Sequence, residues 1–268
     1  MATATTELQH AKVVSHQEWL RARKEFLAKE KEFTRQRDEL SRLRRELPWE
    51  RVEKNYVFEG AAGKLSLGDL FDGRDQLAVY HFMLGPGWQE GCKGCSFLAD
   101  HFDGATVHLA NRNVTLAAVS RAPIAEIQAF KKRMGWRFHW VSSFGTSFNY
   151  DLGVSFTPEQ VESGNFEYNY GKPQHTHDEL PGLSTFVKDA NGEIFHAYSA
   201  YARGLDILVG TYNFLDMAPK GRDEDTLAHP MDWLRHHDKY ERGYSAEPVA
   251  STEQPKTAGA TASCCSGH

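Results

Sequence analysis

The fold is decided by residues 76–98, which read QLAVYHFMLGPGWQEGCKGCSFL. The apolar run Leu77–Leu84 is short and rich in β-forming residues, so it predicts a strand that is buried on both faces. Gly85–Gly87 breaks that strand. Cys92 and Cys95 then stand at the start of a segment whose apolar residues recur at helical spacing. The sequence therefore predicts a buried strand, a loop, and a helix that two cysteines open.

This placement of the cysteines predicts thiol chemistry. The free N–H groups and the positive end of a helix stabilise a thiolate, which lowers the pKa of a cysteine at that position. We therefore expect Cys92 to be the nucleophile and Cys95, one turn later, to resolve the intermediate that Cys92 forms. Trp88 is expected to shield the pair, and Lys93 to add positive potential. Gly104 is expected to end the helix.

The composition is that of an ordinary globular protein. The chain has 268 residues and a formal net charge of -5, which gives no reason to expect nucleic acid as a partner. The first residues lack the pattern of a signal peptide, and no apolar run is long enough to predict a membrane partner. We expect a cytoplasmic protein, where four cysteines in two close pairs favour redox or metal chemistry over structural disulfides.

Three segments are predicted: an N-terminal extension with a long helix over 1–48, a folded domain over 49–244, and a disordered tail over 245–268. Ser15 and Glu18 form the capping-box pattern that begins a helix. Apolar residues then recur every seven positions, at Trp19, Phe26, Phe33, Leu40 and Leu47. This pattern predicts an amphipathic helix that either lies on its own chain or pairs with another subunit to form a homo-oligomer.

Strands and helices alternate through the folded domain. Val114–Val119 and Phe138–Val141 are predicted strands, and a helix is predicted between them. This alternation indicates parallel β-α-β units. Leu183–Val187 and Ile194–Tyr198 are predicted to form a closing hairpin. A final helix is predicted in part of one of two ranges, Leu205–Leu215 or Met231–Tyr240.

The order of elements over residues 50–215 resembles the thioredoxin superfamily, and Gly63–Leu70 and Phe186–Gly192 resemble its peroxiredoxin-like branch. Further segments are similar to a bacterial thioredoxin-like family, domain of unknown function 899, over most of residues 12–240. They are Trp88 with Gly91–Phe97, Val119–Pro123, Arg133–Trp136, Trp140–Ser143, Phe195–Ser199 and Gly210–Tyr212. The resemblance implies an α/β thioredoxin-like fold: a central mixed sheet flanked by helices, with a long N-terminal amphipathic helix and a disordered C-terminal tail. It implies no particular activity.

The sequence departs from the thioredoxin pattern in two places. Thioredoxins carry a tryptophan directly before the first cysteine, whereas Trp88 lies four positions before Cys92. They also place a cis-proline before the closing hairpin, facing the cysteines. The resemblance assigns that position to Ser184, or to Pro181 if the chain wraps differently. Arg121, which follows a predicted strand, is a further candidate to approach the cysteines.

We favour thiol-disulfide or peroxide-linked oxidoreduction at Cys92 and Cys95, with protein or small-molecule thiols, disulfides or peroxides as partners and no cofactor required. The alternative is binding or delivery of copper or zinc, since two thiolates and an imidazole form a soft metal site. The candidate imidazoles are those of His81, His101 and His139. A third interpretation is a non-catalytic oligomeric scaffold. The runs His175–Asp178 and His236–Asp238 are interpreted as solvated polar residues.

The adjacent Cys264 and Cys265, followed by His268, indicate either an incidental tail or a mobile thiol pair that exchanges with the first pair or captures a soft metal. A disulfide between adjacent cysteines is strained and easily reduced. If the tail exchanges thiols, deletion of residues 261–268 should slow reduction of the Cys92–Cys95 disulfide by an external thiol. If it captures metal, the same deletion should lower the bound copper or zinc instead. Unchanged reduction kinetics and unchanged metal content together would support an incidental tail.

Overall fold

An eight-stranded mixed sheet forms the centre of the computed structural model, which describes residues 12–172 and 177–241. The strands are β1 (Glu50–Arg51), β2 (Val57–Gly60), β3 (Gly63–Ser66), β4 (Gln76–His81), β5 (Val114–Ser120), β6 (His139–Ser142), β7 (Gly182–Lys188) and β8 (Ile194–Tyr201). The helices are α1 (His16–Arg44), α2 (Lys93–Ala99), α3 (Phe102–Ala110), α4 (Ile124–Arg133), α5 (Phe148–Asp151), α6 (Pro158–Ser163) and α7 (Gly210–Leu215). The predicted tail and its residues Cys264, Cys265 and His268 lie outside the described residues, as does His175.

The strand order in the sheet is β1-β8-β7-β4-β5-β6-β2-β3. Strands β4, β5 and β6 run parallel, while β7 runs antiparallel to both β4 and β8. Helices α2 and α3 connect β4 to β5, and α4 connects β5 to β6, so the predicted β-α-β units are present. Parallel β-α-β units beside a closing antiparallel hairpin define a thioredoxin-like fold. The predicted fold class is therefore confirmed.

The side chains of β4 divide between two hydrophobic cores, because successive residues of a strand point to opposite faces of the sheet. Tyr80 packs in one core together with Phe82 and Cys95. Val79 packs in the other core with Phe148. We call the first side of the sheet the cysteine face and the second the opposite face. The side chains of β4 and of its neighbouring strands therefore point either to the cysteine face or to the opposite face.

Helix α1 begins at the predicted capping box. The Glu18 carboxylate accepts a hydrogen bond from the Ser15 N–H at 3.1 Å, and the Ser15 hydroxyl accepts one from the Glu18 N–H at 3.3 Å. None of the residues of α1 is buried. At its C-terminal end the Arg44 guanidinium lies 4.8 Å from the centre of the Tyr198 ring on β8. In the described ranges no helix combines the length and the apolar character needed to span a membrane.

The helix that follows the cysteines ends earlier than the sequence predicts. Helix α2 stops at Ala99, and Gly104 lies inside α3 instead of ending a helix. The break falls at Asp100, whose carboxylate accepts a hydrogen bond from Trp136 Nε1 at 2.8 Å. Trp136 is distant in sequence, and its contact holds Asp100 where the helix turns. A tertiary contact therefore overrides the local helical pattern.

Residues 222–240, which we call the C-terminal strap, cross the cysteine face. The final helix is α7, in the first of the two predicted ranges, and the strap contains turns and one short 3-10 turn at His237–Lys239. Leu234 of the strap is only 1% exposed. The Trp233 ring packs edge-on against Phe97 of α2. The strap is therefore part of the core that supports the cysteine helix.

One carboxylate organises the strap. Glu224 Oε1 accepts three hydrogen bonds, from the Tyr212 hydroxyl at 3.0 Å, the Met231 N–H at 3.1 Å and Trp233 Nε1 at 2.6 Å. Hydrogen bonds to a charged acceptor are stronger than neutral ones. Glu224 thus ties the strap both to itself and to α7.

Leu234→Ala should lower the free energy of unfolding by about 2–5 kcal/mol, because the removed methyl groups leave a cavity under the strap. Denaturant unfolding of the reduced protein measures the change. Phe214→Ala is the control: Phe214 is 78% exposed, so its truncation should change stability by no more than about 0.5 kcal/mol. Equal effects of the two substitutions would contradict a core position for the strap.

Candidate active site

The two cysteines lie just beyond the carboxyl end of β4, where the backbone of Met83 holds both of them. The Cys92 N–H donates to the Met83 carbonyl oxygen at 3.0 Å. The Met83 N–H in turn donates to Cys95 Sγ at 3.4 Å. The hydroxyl and N–H of Ser96 each donate to the Cys92 carbonyl oxygen at 2.9 Å. The cysteine turn is therefore pinned directly to the extension of the central strand.

Gly91 makes this close approach possible. A Cβ atom at Gly91 would lie 2.5 Å from Phe82 Cε1 and 2.8 Å from Phe130 Cε1, which is closer than carbon atoms pack. Both rings belong to the core of the cysteine face. Only glycine lets the chain pass against them. Close packing, and not a role in the reaction of the cysteines, therefore requires glycine at position 91.

Cys92 is the N-cap residue of α2 and is partly exposed. Its pKa is lowered to about 6, chiefly because the Cys95 thiol donates a hydrogen bond to its sulfur. Burial opposes the shift, while the N–H groups of Cys95 and Gly94 and the charge of Lys93 add to it. Cys92 is therefore mainly thiolate at neutral pH.

Cys95 has the opposite character. It is 2% exposed, and burial raises its pKa well above the usual value, with further increases from the hydrogen bond to Cys92 and from the negative charge of Cys92. The Tyr80 hydroxyl and the Met83 N–H act in the other direction by donating to its sulfur. Burial also raises the pKa of Tyr80, so its hydroxyl remains a neutral donor. The pair therefore joins an exposed thiolate to a buried thiol.

The C-terminal strap covers the loop that carries the cysteines. His236 Nε2 lies 2.9 Å from the Gly91 carbonyl oxygen, and His236 is 3% exposed. Met231 Cε lies 3.3 Å from the position of a Cβ atom at Gly94, close to the start of α2. The interpretation of His236–Asp238 as solvated is therefore wrong for His236. The strap buries this imidazole, and no local pattern indicates that.

Two of the predicted supporting residues lie near the pair in sequence and differ in effect. Lys93 is exposed, and its charge lowers the pKa of Cys92. Trp88 folds back against Gly85 and lines a groove of about 320 Å³ beside α4. The lining of that groove does not include either cysteine. Trp88 thus lines this groove, and its role in shielding the pair stays a prediction.

Arg121 is engaged away from the cysteines. Its guanidinium forms an ion pair with Glu179 and a hydrogen bond with the Tyr150 hydroxyl, and it lies 3.4 Å from Asp178. Burial raises the pKa of Glu179 to about 7, although Arg121 opposes the shift. Arg121 therefore stabilises the segment before β7, and its described contacts do not include the cysteine pair.

The resemblance predicts that Ser184 faces the cysteines. This prediction is wrong, because Ser184 lies on the opposite face of the sheet. It pairs across the sheet with Val79, and its hydroxyl lies 2.9 Å from His81 Nε2 and 2.7 Å from the Ser199 hydroxyl. His81 shares that face, so its assignment as a metal ligand beside the cysteines is also wrong. The reason is the alternation of β4, in which Tyr80 faces the cysteines and the next residue cannot. Burial lowers the pKa of His81 to about 3, so it is neutral.

The other candidate metal ligands do not join the cysteines either. His139 is exposed on β6 and pairs with Ala117, whose side chain packs in the core of the opposite face. His101 Nε2 lies 3.2 Å from both the N–H and the hydroxyl of Thr211. In the described part of the chain, no three His, Cys, Asp or Glu residues form a group that could hold a metal ion.

Two tyrosines near Cys95 do not stand out in the sequence. Tyr80 donates to the Cys95 sulfur, and the alternation of β4 could have indicated it, since Tyr80 shares a face with Phe82. Tyr168 lies in the irregular segment before β7, and its hydroxyl donates to the Pro181 carbonyl oxygen at 2.7 Å. Burial and the charge of Cys95 both raise the pKa of Tyr168. No local pattern could have placed it here.

Fold and site together define a protein of the thioredoxin-like class with a Cys-x-x-Cys pair at a strand-to-helix junction. The chain belongs to the bacterial family of unknown function DUF899, whose model matches residues 8–240. The predicted family is thereby confirmed. No curated protein matches the chain.

Solved structures similar to this chain include peroxiredoxins and a disulfide isomerase. Peroxidoxin BcpB from Mycobacterium tuberculosis has 13% identity over 62% of this chain and 95% of its own, with a TM-score of 0.41. The mitochondrial 2-Cys peroxiredoxin from Plasmodium falciparum has 17% identity over 63% and 95%, with a TM-score of 0.37. A putative protein disulfide isomerase from Bacteroides thetaiotaomicron has 15% identity over 62% and 91%, with a TM-score of 0.36. Similarity at this level does not identify an activity.

In the reduced protein, alkylation by iodoacetamide should follow an apparent pKa of about 6 and should label Cys92, because the thiolate is the reactive form. Cys95→Ala removes the donor to the Cys92 sulfur and should raise that apparent pKa. Cys95→Ser keeps a hydroxyl donor and should raise it less. Pulse alkylation from about pH 5 to pH 9, followed by peptide mapping, measures both effects. Preferential labelling of Cys95 would reverse the assignment of the two thiols.

Proposed function

We propose that the protein is a thiol-disulfide oxidoreductase in which Cys92 is the nucleophile and Cys95 the resolving thiol. The observation that supports this most strongly is the asymmetry of the pair. Cys92 is partly exposed and has a lowered pKa, while Cys95 is buried and has a raised one. Thiol-disulfide exchange requires a thiolate that a substrate can reach, and a second thiol held next to it.

In the first step, the Cys92 thiolate attacks one sulfur of a substrate disulfide. A new bond forms between Cys92 Sγ and that sulfur, and the other substrate sulfur leaves as a thiolate. The negative charge thus passes from Cys92 to the leaving group. The N–H groups that stabilise the Cys92 thiolate then face a neutral mixed disulfide.

The second step requires Cys95 to lose its proton. Part of the increase in its pKa comes from the hydrogen bond to Cys92 and from the charge of Cys92, and both disappear once Cys92 is in the mixed disulfide. The Tyr80 hydroxyl and the Met83 N–H remain to stabilise the emerging thiolate. Cys95 then attacks Cys92 Sγ, and the substrate's second thiolate leaves and takes up the proton. The substrate gains two electrons, and the pair becomes a disulfide.

A peroxide is the second candidate substrate for the same pair. The Cys92 thiolate would attack one peroxide oxygen and break the O–O bond, and with one proton taken from solvent this gives a sulfenic acid and releases an alcohol or water. The Cys95 thiol would then attack the sulfenic sulfur, which forms the Cys92–Cys95 disulfide and releases water. We favour disulfides, because an oxygen that leaves a peroxide as an anion is stabilised by a nearby positive charge. Arg121, the arginine expected near the site, is instead engaged by Glu179 and Tyr150. Lys93 is the cation whose charge acts on Cys92.

Redox chemistry is better supported than the two alternatives from the sequence. A zinc site needs more ligands than two thiolates. The imidazoles that could complete a zinc or copper site lie elsewhere, since His81 and His139 belong to the opposite face and His101 is bonded to Thr211. A non-catalytic scaffold would fit two buried cysteines, whereas Cys92 is partly exposed.

The proposed cycle also specifies a partner and a compartment. An external thiol must reduce the Cys92–Cys95 disulfide after each turnover, and the exchange uses no bound cofactor. A pair kept ready as thiol and thiolate suits a reducing compartment, so we place the protein in the cytoplasm.

An aromatic disulfide such as dithiobis(nitrobenzoate) tests the cycle, in a background with Cys264→Ser and Cys265→Ser. The parent should release both halves of the reagent and end with a Cys92–Cys95 disulfide. Cys95→Ser should release one half and keep the other bound to Cys92, because the resolving thiol is missing. Released thiolate is measured by absorbance, and the adduct by mass spectrometry.

The matched control is Cys92→Ser, which should react slowly because the remaining thiol is buried. Slow reaction in all three proteins, together with stoichiometric copper or zinc in protein purified without chelator, would support the metal-binding alternative instead. Disulfide formation by a peroxide but not by the aromatic disulfide would make peroxide the substrate.

A further inference from the structure

Helix α1 carries an apolar face that nothing in the described structure covers. We call this set the heptad face: Trp19 (54% exposed), Phe26 (56%), Phe33 (65%) and Leu40 (57%) of the helix, and Leu47 (45%), three residues beyond its end at Arg44. Leu43 adds a further side chain, 47% exposed. A stripe of this length is larger than the isolated apolar residues that protein surfaces normally expose. It indicates an interaction surface.

The charges beside the heptad face follow the same period. Each of its residues is directly preceded by glutamate, at positions 18, 25, 32, 39 and 46. Four residues after each of the first four members comes a charged residue, and three of these four are arginines: Arg23, Arg37 and Arg44, with Glu30 as the exception. In heptad notation the apolar residues occupy a, the glutamates g, and this last group e. Both edges of the apolar face are therefore charged, one negative and the other mainly positive.

We propose that α1 pairs with α1 of a second copy of this chain as a parallel coiled coil. In a parallel pair, each g residue faces the e residue five positions later on the other helix. Glu18, Glu32 and Glu39 then face Arg23, Arg37 and Arg44 of the second copy, and Glu25 faces Glu30. Three of the four pairs attract.

The antiparallel arrangement is disfavoured by the same charges. There, g residues face g residues, so every contact along that edge would bring two glutamates together. Like charges at such positions are destabilising. The charges at the e and g positions therefore favour the parallel arrangement, and they favour a second copy of α1 as the partner.

Ion pairs within α1 do not compete strongly with this pairing. Glu39 contacts Arg42 of the same helix at 2.8 Å, and Glu30, the exception at e, contacts Arg23 at 2.8 Å. All four side chains are more than two-fifths exposed, and exposed ion pairs contribute little. They can therefore rearrange when a second helix arrives.

The area is sufficient for a modest interface. With roughly 200 Å² for each fully exposed side chain of this size, the heptad face and Leu43 expose on the order of 600 Å² per helix. Two copies would bury about 1,200 Å², the lower end of the range for specific interfaces. Lys29 and Gln36 occupy d positions and weaken the seam, so we expect a reversible, concentration-dependent dimer.

A parallel pairing of α1 also determines where the two folded domains lie along the dimer. Helix α1 meets its own domain at its C-terminal end, where Arg44 lies over Tyr198 and Trp49 packs near Phe195. In a parallel pair these ends lie together. The two cysteine sites would then belong to the same end of the dimer.

Charge reversal on one edge tests the pairing by sedimentation equilibrium of the full chain. Glu32→Lys with Glu39→Lys should weaken dimerisation at least about tenfold, because attractive pairs become repulsive. Arg37→Glu with Arg44→Glu should weaken it similarly, and a mixture of the two variants should recover a heterodimer. Asp38→Lys, which lies off the seam, is the control and should dimerise like the parent. Circular dichroism checks that the helix persists.

Direction is tested by cross-linking in a background with all four native cysteines replaced by serine. Leu40→Cys should form a disulfide-linked dimer, because identical a positions face each other in a parallel pair. A monomeric parent protein, a dimer that survives both charge reversals, or a dimer that cross-links only when Phe26→Cys and Leu43→Cys chains are mixed, as an antiparallel pair would, would each overturn the proposal. This test is independent of the proposed redox activity.

Discussion

Two hydrogen bonds to the backbone of one residue hold the chemistry of this protein in place. The Met83 carbonyl oxygen accepts from the Cys92 N–H, and the Met83 N–H donates to Cys95 Sγ. Met83 follows β4, which lies inside the sheet between β7 and β5, so the cysteine turn is fixed to an interior strand. Gly91 allows that turn to lie against the Phe82 ring. The position of the pair thus depends on backbone geometry before any side-chain chemistry begins.

Burial then separates the two sulfurs. Both belong to one hydrogen-bonded unit, but Cys95 lies inside the core and Cys92 at its edge. In a medium of low dielectric constant, one negative charge shared between two sulfurs is stabilised and a second is excluded. The strap contributes by closing the core over α2, with Glu224 and His236 holding it there. The difference between the two thiols, on which the proposed exchange depends, therefore comes from packing as much as from the Cys-x-x-Cys motif.

Helix α1 differs from the folded domain in what stabilises it. The domain buries its apolar side chains in two cores, one on each face of the sheet, whereas α1 buries none. Its capping box and exposed ion pairs contribute to the helix but cannot cover the heptad face. The proposed pairing would remove that surface from water while leaving the cysteine sites open to substrate.

The sequence by itself determined the elements that depend on near neighbours: the buried strand β4, its break at Gly85–Gly87, the helix that Cys92 opens, and the start of α1 at Ser15. These rest on local periodicity and capping, which a few adjacent residues specify. Only the tertiary structure decided that Ser184 and His81 lie on the face away from the cysteines. Strand periodicity separates the two faces, but which face receives α2 depends on how the chain crosses the sheet. The strap contact between His236 and Gly91 joins residues 145 positions apart, and a contact of that range leaves no local pattern in the sequence.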